Sequence, residues 1–164
     1  DAPRLRLHRR VEELSSSATS TDQLVAHALE LIPEGHVLWT HVTSPFVTAE
    51  VYDEIINNYR DGLKKGYDSL MTTTKIHNFL WDMQGPINYD RSVEKWPRTQ
   101  TLEPLHEVNS AAFLAPTEIY SQYDDRIGPR PKLFPLERTQ GFDIDWEPDF
   151  AIAEAILEAG LVRL

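Results

Sequence analysis

The chain has 164 residues, no cysteine and a formal net charge of −10, and its length suits one domain, residues 1–164, with a sizeable core. The negative charge argues against broad nucleic-acid binding, which needs a basic surface. No disulfide or cysteine-bound metal can form within the chain, and no apolar run approaches the roughly 20 residues that cross a bilayer. Since the first residues lack the apolar segment of a secretion signal, we expect a cytoplasmic protein with no membrane partner.

The chain begins with a basic stretch. Arg4-Leu5-Arg6-Leu7-His8 alternates polar and apolar residues, which predicts a short strand. Together with Arg9 and Arg10, the arginines of this stretch form a cluster that either binds an anion or lies at a solvated strand edge.

A serine- and threonine-rich run leads into the first predicted helix. Ser20 or Thr21 is the expected N-cap, and apolar residues recur at helical spacing from Leu24 to Ile32. Pro33-Glu34-Gly35 ends this helix.

A strand–helix–strand pattern follows. Residues 36–43 are β-rich and predict a buried central strand, an amphipathic helix begins near Thr48 and ends at 62–66, and residues 67–76 predict another strand. This alternation is typical of an α/β domain with a parallel sheet.

Residues 77–108 interrupt the alternation with prolines and several aromatic residues, among them Phe79, Trp81 and Trp96. Such a segment is either a long functional loop or an arm that buries its aromatic side chains against another surface.

Beyond the arm, the pattern returns to short regular elements. Strand character at 109–114 precedes a helix from Pro116-Thr117 to about Tyr123, and the proline in 132–136 predicts an edge strand. The chain ends in a helix whose expected inward residues are Phe150, Ala153, Ile156 and Leu157.

The stretch from 138 to 149 carries the clearest candidate chemistry. In an extended segment, Phe142, Ile144 and Trp146 would face the core, while Asp143 and Asp145 would lie together on the other side. Two such carboxylates either hold one hard cation such as Mg²⁺ or belong to a solvated turn or helix cap. The following Glu147-Pro148-Asp149 suits the first turn of a helix.

Taken together, these landmarks resemble the acylneuraminate cytidylyltransferases (the CMP-N-acetylneuraminic acid synthetase family). The resemblance is spread over most of the chain and depends on the order and spacing of six segments. They are Arg10-Val11-Glu12-Glu13-Leu14, Ala18-Thr19-Ser20-Thr21, Thr43-Ser44-Pro45, His77-Asn78-Phe79-Leu80-Trp81, Asn109-Ser110-Ala111, and Phe142-Asp143-Ile144-Asp145 with Glu147-Pro148-Asp149.

The resemblance implies transfer of CMP from CTP to a 2-keto-3-deoxy sugar acid, with Asp143 and Asp145 as catalytic ligands of Mg²⁺. It implies that Arg10 contacts a nucleotide phosphate and that Thr19, Ser20 and Thr21 offer groups to the cytosine. Each role has a structural alternative, because Arg10 can pair with a neighbouring glutamate and Thr21 can cap a helix.

The sugar acid would be bound by His41, Thr43, Ser44 and Asn109. His41 stands where the family has Gln, and Glu107 stands where it often has a basic residue. Arg98 or Lys95 of the arm would then supply the missing positive charge.

The implied fold is three-layered and Rossmann-like, that of the nucleotide-diphospho-sugar transferases, with a mainly parallel sheet. The family's N-terminal strand and glycine-rich basic loop have no counterpart in this sequence, so we expect an incomplete site. The arm at 77–108 implies a homodimer. Two alternatives stay open: a cytidylyltransferase for another sugar acid or polyol phosphate, and a non-catalytic sugar-binding or dimeric relative.

Overall fold

Four strands form one mixed sheet in the computed structural model, which describes residues 5–16 and 18–162. The strand order is β1-β3-β2-β4, and β3 runs antiparallel to both of its neighbours, whereas β2 and β4 are parallel. Three strands therefore share one direction. The strand bounds are β1, His36–Thr40; β2, Ser69–Ile76; β3, Leu105–Pro116; and β4, Pro131–Leu136.

Four α-helices accompany the sheet, and their bounds agree closely with the periodicity of the sequence. Ser20 caps the first helix, since its hydroxyl accepts a hydrogen bond from the Gln23 backbone while the Gln23 side chain accepts one from the Ser20 backbone. The helices are α1, Thr21–Leu31; α2, Ala49–Lys64; α3, Thr117–Tyr123; and α4, Glu147–Glu158. Short 3₁₀ turns occupy Glu12–Leu14 and Thr99–Thr101.

The core has two parts, on opposite faces of the sheet. One cluster packs α2, through Ile55 and Tyr59, against Leu70 of β2 and Leu114 of β3. The other cluster packs residues of α1 and α3 against Val37 of β1 and Ala115 of β3, which are paired with each other in the sheet. Because Leu114 and Ala115 are consecutive on one strand, they face opposite sides. The predicted three-layer α/β arrangement follows from this division.

The sheet itself differs from the prediction. A mainly parallel sheet is not confirmed, because two of the three described strand pairings are antiparallel. The predicted central strand, β1, lies at an edge of the described sheet with an alternating burial pattern. β4 also lies at an edge, as its proline predicted.

Two predictions near the ends of the chain are wrong or lie outside the described residues. Residues 5–8 form no strand and are exposed, and Arg4 is not among the described residues. In α4 only Ala153 is buried, whereas Phe150 and Leu157 are 58% and 46% exposed, so most of the expected inward face is open.

The segment after β2 is a long excursion whose aromatic side chains pack on one another. Trp81 and Trp96 stack with ring centroids 6.4 Å apart, Phe79 meets Trp96 edge-on, and the Arg91 guanidinium lies over both indoles. The final residues of the predicted arm, 105–108, belong to β3 and pair with the end of β2. Within 5–16 and 18–162, no helix is long and apolar enough to cross a membrane.

Candidate functional site

A cleft of about 230 Å³ opens where β2, β3 and the acidic loop after β4 meet. It contains three of the residues that the sequence nominated, namely Asn109, Asp143 and Asp145. The remaining lining residues are Thr74, Glu107, Val108, Arg138, Gly141 and Phe142. Segments that lie far apart in the chain thus converge on one cavity.

A bulge in β3 places Asn109 in this cleft. The register between β2 and β3 shifts between Met71 and Thr73, and the Thr72 hydroxyl fills the gap by donating to the Ala112 carbonyl and accepting from the Ala112 amide. Asn109 is buried, and its Nδ2 donates to Thr74 Oγ1 at 3.1 Å. Bulges redirect side chains in this way beside functional sites.

The bulge contains a residue in a left-handed backbone conformation. Ser110 has φ of +58°, which costs a residue with a Cβ about 1–2 kcal/mol. Glycine would adopt this conformation freely.

Gly141 holds the acidic loop against the strands. A Cβ added to it would lie 2.5 Å from Asn109 Nδ2 and 2.6 Å from Thr74 Oγ1. Only a residue without a side chain permits this close approach, so the glycine keeps the loop and the bulge in register.

The two aspartates of the loop lie in the cleft without serving as the helix cap. Asp143 is half-buried and Asp145 is exposed. The cap of α4 is Asp149, whose Oδ2 accepts from the backbone amides of Asp145 and Trp146 at 3.1 and 2.8 Å. The prediction that Trp146 faces the core is wrong, because its side chain is 76% exposed.

The carboxylates of Asp143 and Asp145 fit a Mg²⁺ ion that is bound partly by the protein and partly by a substrate. No group of three or more His, Asp or Glu side chains is arranged to hold a metal within the described part of the chain. Mg²⁺ commonly uses only one or two carboxylates and completes its shell with water and substrate phosphate oxygens. Asp143 and Asp145 could supply those carboxylates.

Arg138 and Thr74 belong to the cleft but were missed at the level of sequence. Arg138 places a guanidinium in a cavity that also contains the carboxylates of Glu107, Asp143 and Asp145. Its signal was its position at the start of the acidic stretch. Nothing in the sequence indicates that Thr74 belongs to the cleft, because its contact with Asn109 depends on the pairing of β2 with β3.

A second cluster surrounds His41, just beyond β1. The Trp39 indole and the Arg126 guanidinium both donate to His41 Nε2, at 3.0 Å each. Both partners are donors only, so Nε2 must be unprotonated and the ring neutral. Burial, and then the nearby Arg126 charge, lower the pKa of His41, against the opposing effect of Asp143.

The His41 cluster adjoins the acidic cleft. The Ile144 amide donates to the Thr43 carbonyl at 2.9 Å, tying the Asp143–Asp145 loop to the segment after β1. Ser44 is buried, and its Oγ has no hydrogen-bond partner among the described residues. The predicted substrate residues His41, Thr43 and Ser44 therefore lie beside the cleft rather than in its wall.

The residues nominated for the nucleotide lie elsewhere. Arg10 lines a separate, mainly apolar pocket that includes Trp39 and His27. Thr19 donates to the Glu13 carbonyl, Ser20 caps α1, and Thr21 is the first residue of that helix. Ser20 is thus one of the two N-caps that the sequence predicted, whereas Thr21 does not cap the helix, and Arg10 forms no ion pair with Glu12 or Glu13 among the described residues.

Arg98 is exposed in the arm and is not part of the cleft wall.

The similarity of this chain to known proteins is one of fold. No protein-family model matches the chain, and no curated protein matches it. The fold matches the crystal structure of 4-diphosphocytidyl-2C-methyl-D-erythritol synthase from Anaerococcus prevotii DSM 20548, with a TM-score of 0.59. This is a likeness of fold. The sequences are 16% identical, and the match covers 86% of this chain and 65% of that one.

Proposed function

We propose that the chain forms part of a cytidylyltransferase that moves CMP from CTP to a 2-keto-3-deoxy sugar acid, sialic acid or a related nonulosonic acid, and releases pyrophosphate. The observation that carries the proposal is the convergence of Asp143, Asp145 and Asn109 on one cleft. A fold similar to that of a protein named for a diphosphocytidyl product supports it.

In the proposed reaction, the anomeric hydroxyl of the sugar acid attacks the α-phosphorus of CTP in line. A new phosphorus–oxygen bond forms, the bond to the bridging oxygen breaks, and pyrophosphate leaves while the hydroxyl proton is released. Catalysis of this kind depends on positioning and charge neutralisation. Asp143 and Asp145 would hold Mg²⁺, which when bound would polarise the phosphoryl oxygens.

The other residues of the cleft have separate roles in this proposal. Asn109 Nδ2 has a second hydrogen beyond the one donated to Thr74, and this hydrogen can orient an acceptor hydroxyl. Arg138 would neutralise phosphate oxygens. Arg10, which lines the pocket that includes Trp39, would contact a nucleotide phosphate. The Thr19–Thr21 segment would offer hydrogen-bonding groups to the cytosine.

We also propose that the arm mediates a homodimer. Its aromatic cluster leaves Trp81 and Trp96 46% and 62% exposed, and Met83 and Val93 are almost fully exposed. Apolar surface of this extent is typical of a protein interface. Analytical ultracentrifugation of the full-length protein and of Trp96→Ser tests it: a monomeric wild type would contradict the dimer.

The decisive experiment measures pyrophosphate release by the full-length protein with CTP, Mg²⁺ and a panel of acceptors. Release that requires a keto-sugar acid supports the proposal. A polyol phosphate is the second candidate acceptor, favoured by the methylerythritol product in the name of the structurally similar protein. Absence of release with every acceptor would favour a non-catalytic sugar-binding relative.

A further inference from the structure

The chain carries a cation whose arrangement neither the cleft nor the core explains. Arg126 follows α3, and its guanidinium carbon lies 3.6 Å from the centroid of the Phe113 ring and 5.8 Å from that of Trp39. Stacking on two aromatic rings holds the planar group in one place.

The polar contacts of Arg126 leave most of its donors free. Of the five N–H groups of a guanidinium, one Nη1 hydrogen is used on His41. No Asp or Glu of the described residues forms an ion pair with it. Burial is the main cause of a lowered Arg126 pKa. The negative charges of Asp125 and Asp22 oppose this lowering of the pKa, but neither carboxylate forms an ion pair with the guanidinium.

A half-buried cation without an anionic partner costs free energy unless something supplies the partner. His41, predicted to bind substrate, accepts the hydrogen bond from Arg126 and is also within electrostatic reach of Asp143. His41 thus links Arg126 to one of the carboxylates proposed to hold the phosphate-bound metal.

The geometry points to Arg126 as the residue that recognises the carboxylate of the acceptor. The hydrogen bond to His41 would orient the guanidinium so that its other N–H groups can form a bidentate contact with that carboxylate. This inference rests on the proposed function for the class of acceptor. In a 2-keto-3-deoxy acid, the carboxylate is attached to the carbon that bears the reacting hydroxyl. A guanidinium that holds this carboxylate therefore also positions the nucleophile. Arg126 replaces Arg98 of the arm in this role.

The test compares an acid with its neutral ester. Isothermal titration calorimetry measures binding of N-acetylneuraminate and of its methyl ester to the full-length protein, with wild type, Arg126→Gln, Arg126→Lys and Arg98→Gln. We expect Arg126→Gln to weaken binding of the acid roughly 10-fold or more, the effect of losing a charged hydrogen bond, and to leave the ester unchanged. Lysine should restore part of the affinity, and Arg98→Gln should change neither ligand.

The acid-to-ester ratio serves as an internal control, because a folding defect would weaken both ligands together. Equal binding of acid and ester by wild type, no binding of the acid, or an unchanged ratio in Arg126→Gln would overturn the inference. These outcomes are independent of turnover. If the acid is bound through Arg126 but no pyrophosphate is released, the proposed enzyme activity fails while the assignment of Arg126 stands.

Discussion

The acidic cleft and the His41–Arg126 cluster are neighbours built on different principles. The cleft depends on backbone irregularity: a bulge places Asn109, and a glycine lets the Asp143–Asp145 loop approach it. The His41 cluster depends on side chains from separate elements, stacked and hydrogen-bonded around one imidazole. Substitutions that alter the backbone should therefore disturb the cleft, whereas changes of charge should disturb the His41 cluster.

The largest expected effect distinguishes the proposed metal-binding role of Asp145 from the structural role of Asp149 at the start of α4. Asp145→Asn should reduce turnover by about 10²-fold or more, since it removes a ligand for the phosphate-bound metal, without a large change in the melting temperature. Asp149→Ala is the control, because that carboxylate accepts hydrogen bonds from two backbone amides at the start of α4, and its removal should lower stability by about 1 kcal/mol with turnover retained. Pyrophosphate release and thermal melting of both variants check this; normal turnover in Asp145→Asn would remove the metal assignment.

Gly141→Ala should disturb the cleft and spare the His41 cluster. The added methyl group would meet Asn109 and Thr74 at under 3 Å, and overpacking of this kind costs about 1–3 kcal/mol. Chemical denaturation measures the loss, and the imidazole signals of His41 in NMR spectra report whether its cluster is intact.

Gly160→Ala is the control for Gly141→Ala. Gly160 has φ of +66° and no neighbour within 4 Å of a Cβ, so that variant reports conformational strain alone. An unchanged stability in Gly141→Ala, with the loss at Gly160→Ala retained, would mean that Gly141 does not hold the loop by close approach.

Acid should weaken the contribution of His41 to stability. Its folded pKa is lowered from the ordinary 6.5, so the unfolded chain binds the proton more readily. This contribution to stability is complete above about pH 6.5 and falls as the pH drops from there through the lowered folded pKa. We expect unfolding free energies measured from pH 7.5 downward to decline more in wild type than in His41→Gln. Parallel curves would contradict a neutral, donor-bound imidazole.

The smallest effect concerns the bulge. Ser110→Gly should relieve the left-handed strain and change stability by no more than about 1 kcal/mol, because glycine also gains freedom in the unfolded chain. Ser110→Ala keeps the Cβ and should bring no relief. Denaturation midpoints of the two variants decide the point: a stabilised Ser110→Ala would show that the serine hydroxyl, rather than its backbone conformation, is the costly feature.

Sequence reasoning identified the elements well because their determinants are local. The capping pattern at Ser20 and the periodicity of α2 are contained in short windows. It failed where distant partners decide the outcome. The mixed sheet follows from β3 inserting between β1 and β2, which leaves β1 at an edge of the described sheet rather than at its centre.

The candidate site divides in the same way. The acidic pair, the asparagine and the residues after β1 could be predicted from the sequence, because each stands in a short recognisable motif. Three features depend on how the strands and loops pack: Asn109 enters the cleft through a bulge, Arg138 lines the same cleft, and Arg126 contacts His41 across 85 positions of sequence. The absence of an ion-pair partner for Arg126 among the described residues could not be predicted, because the residues that pack around this side chain come from segments that are distant in sequence.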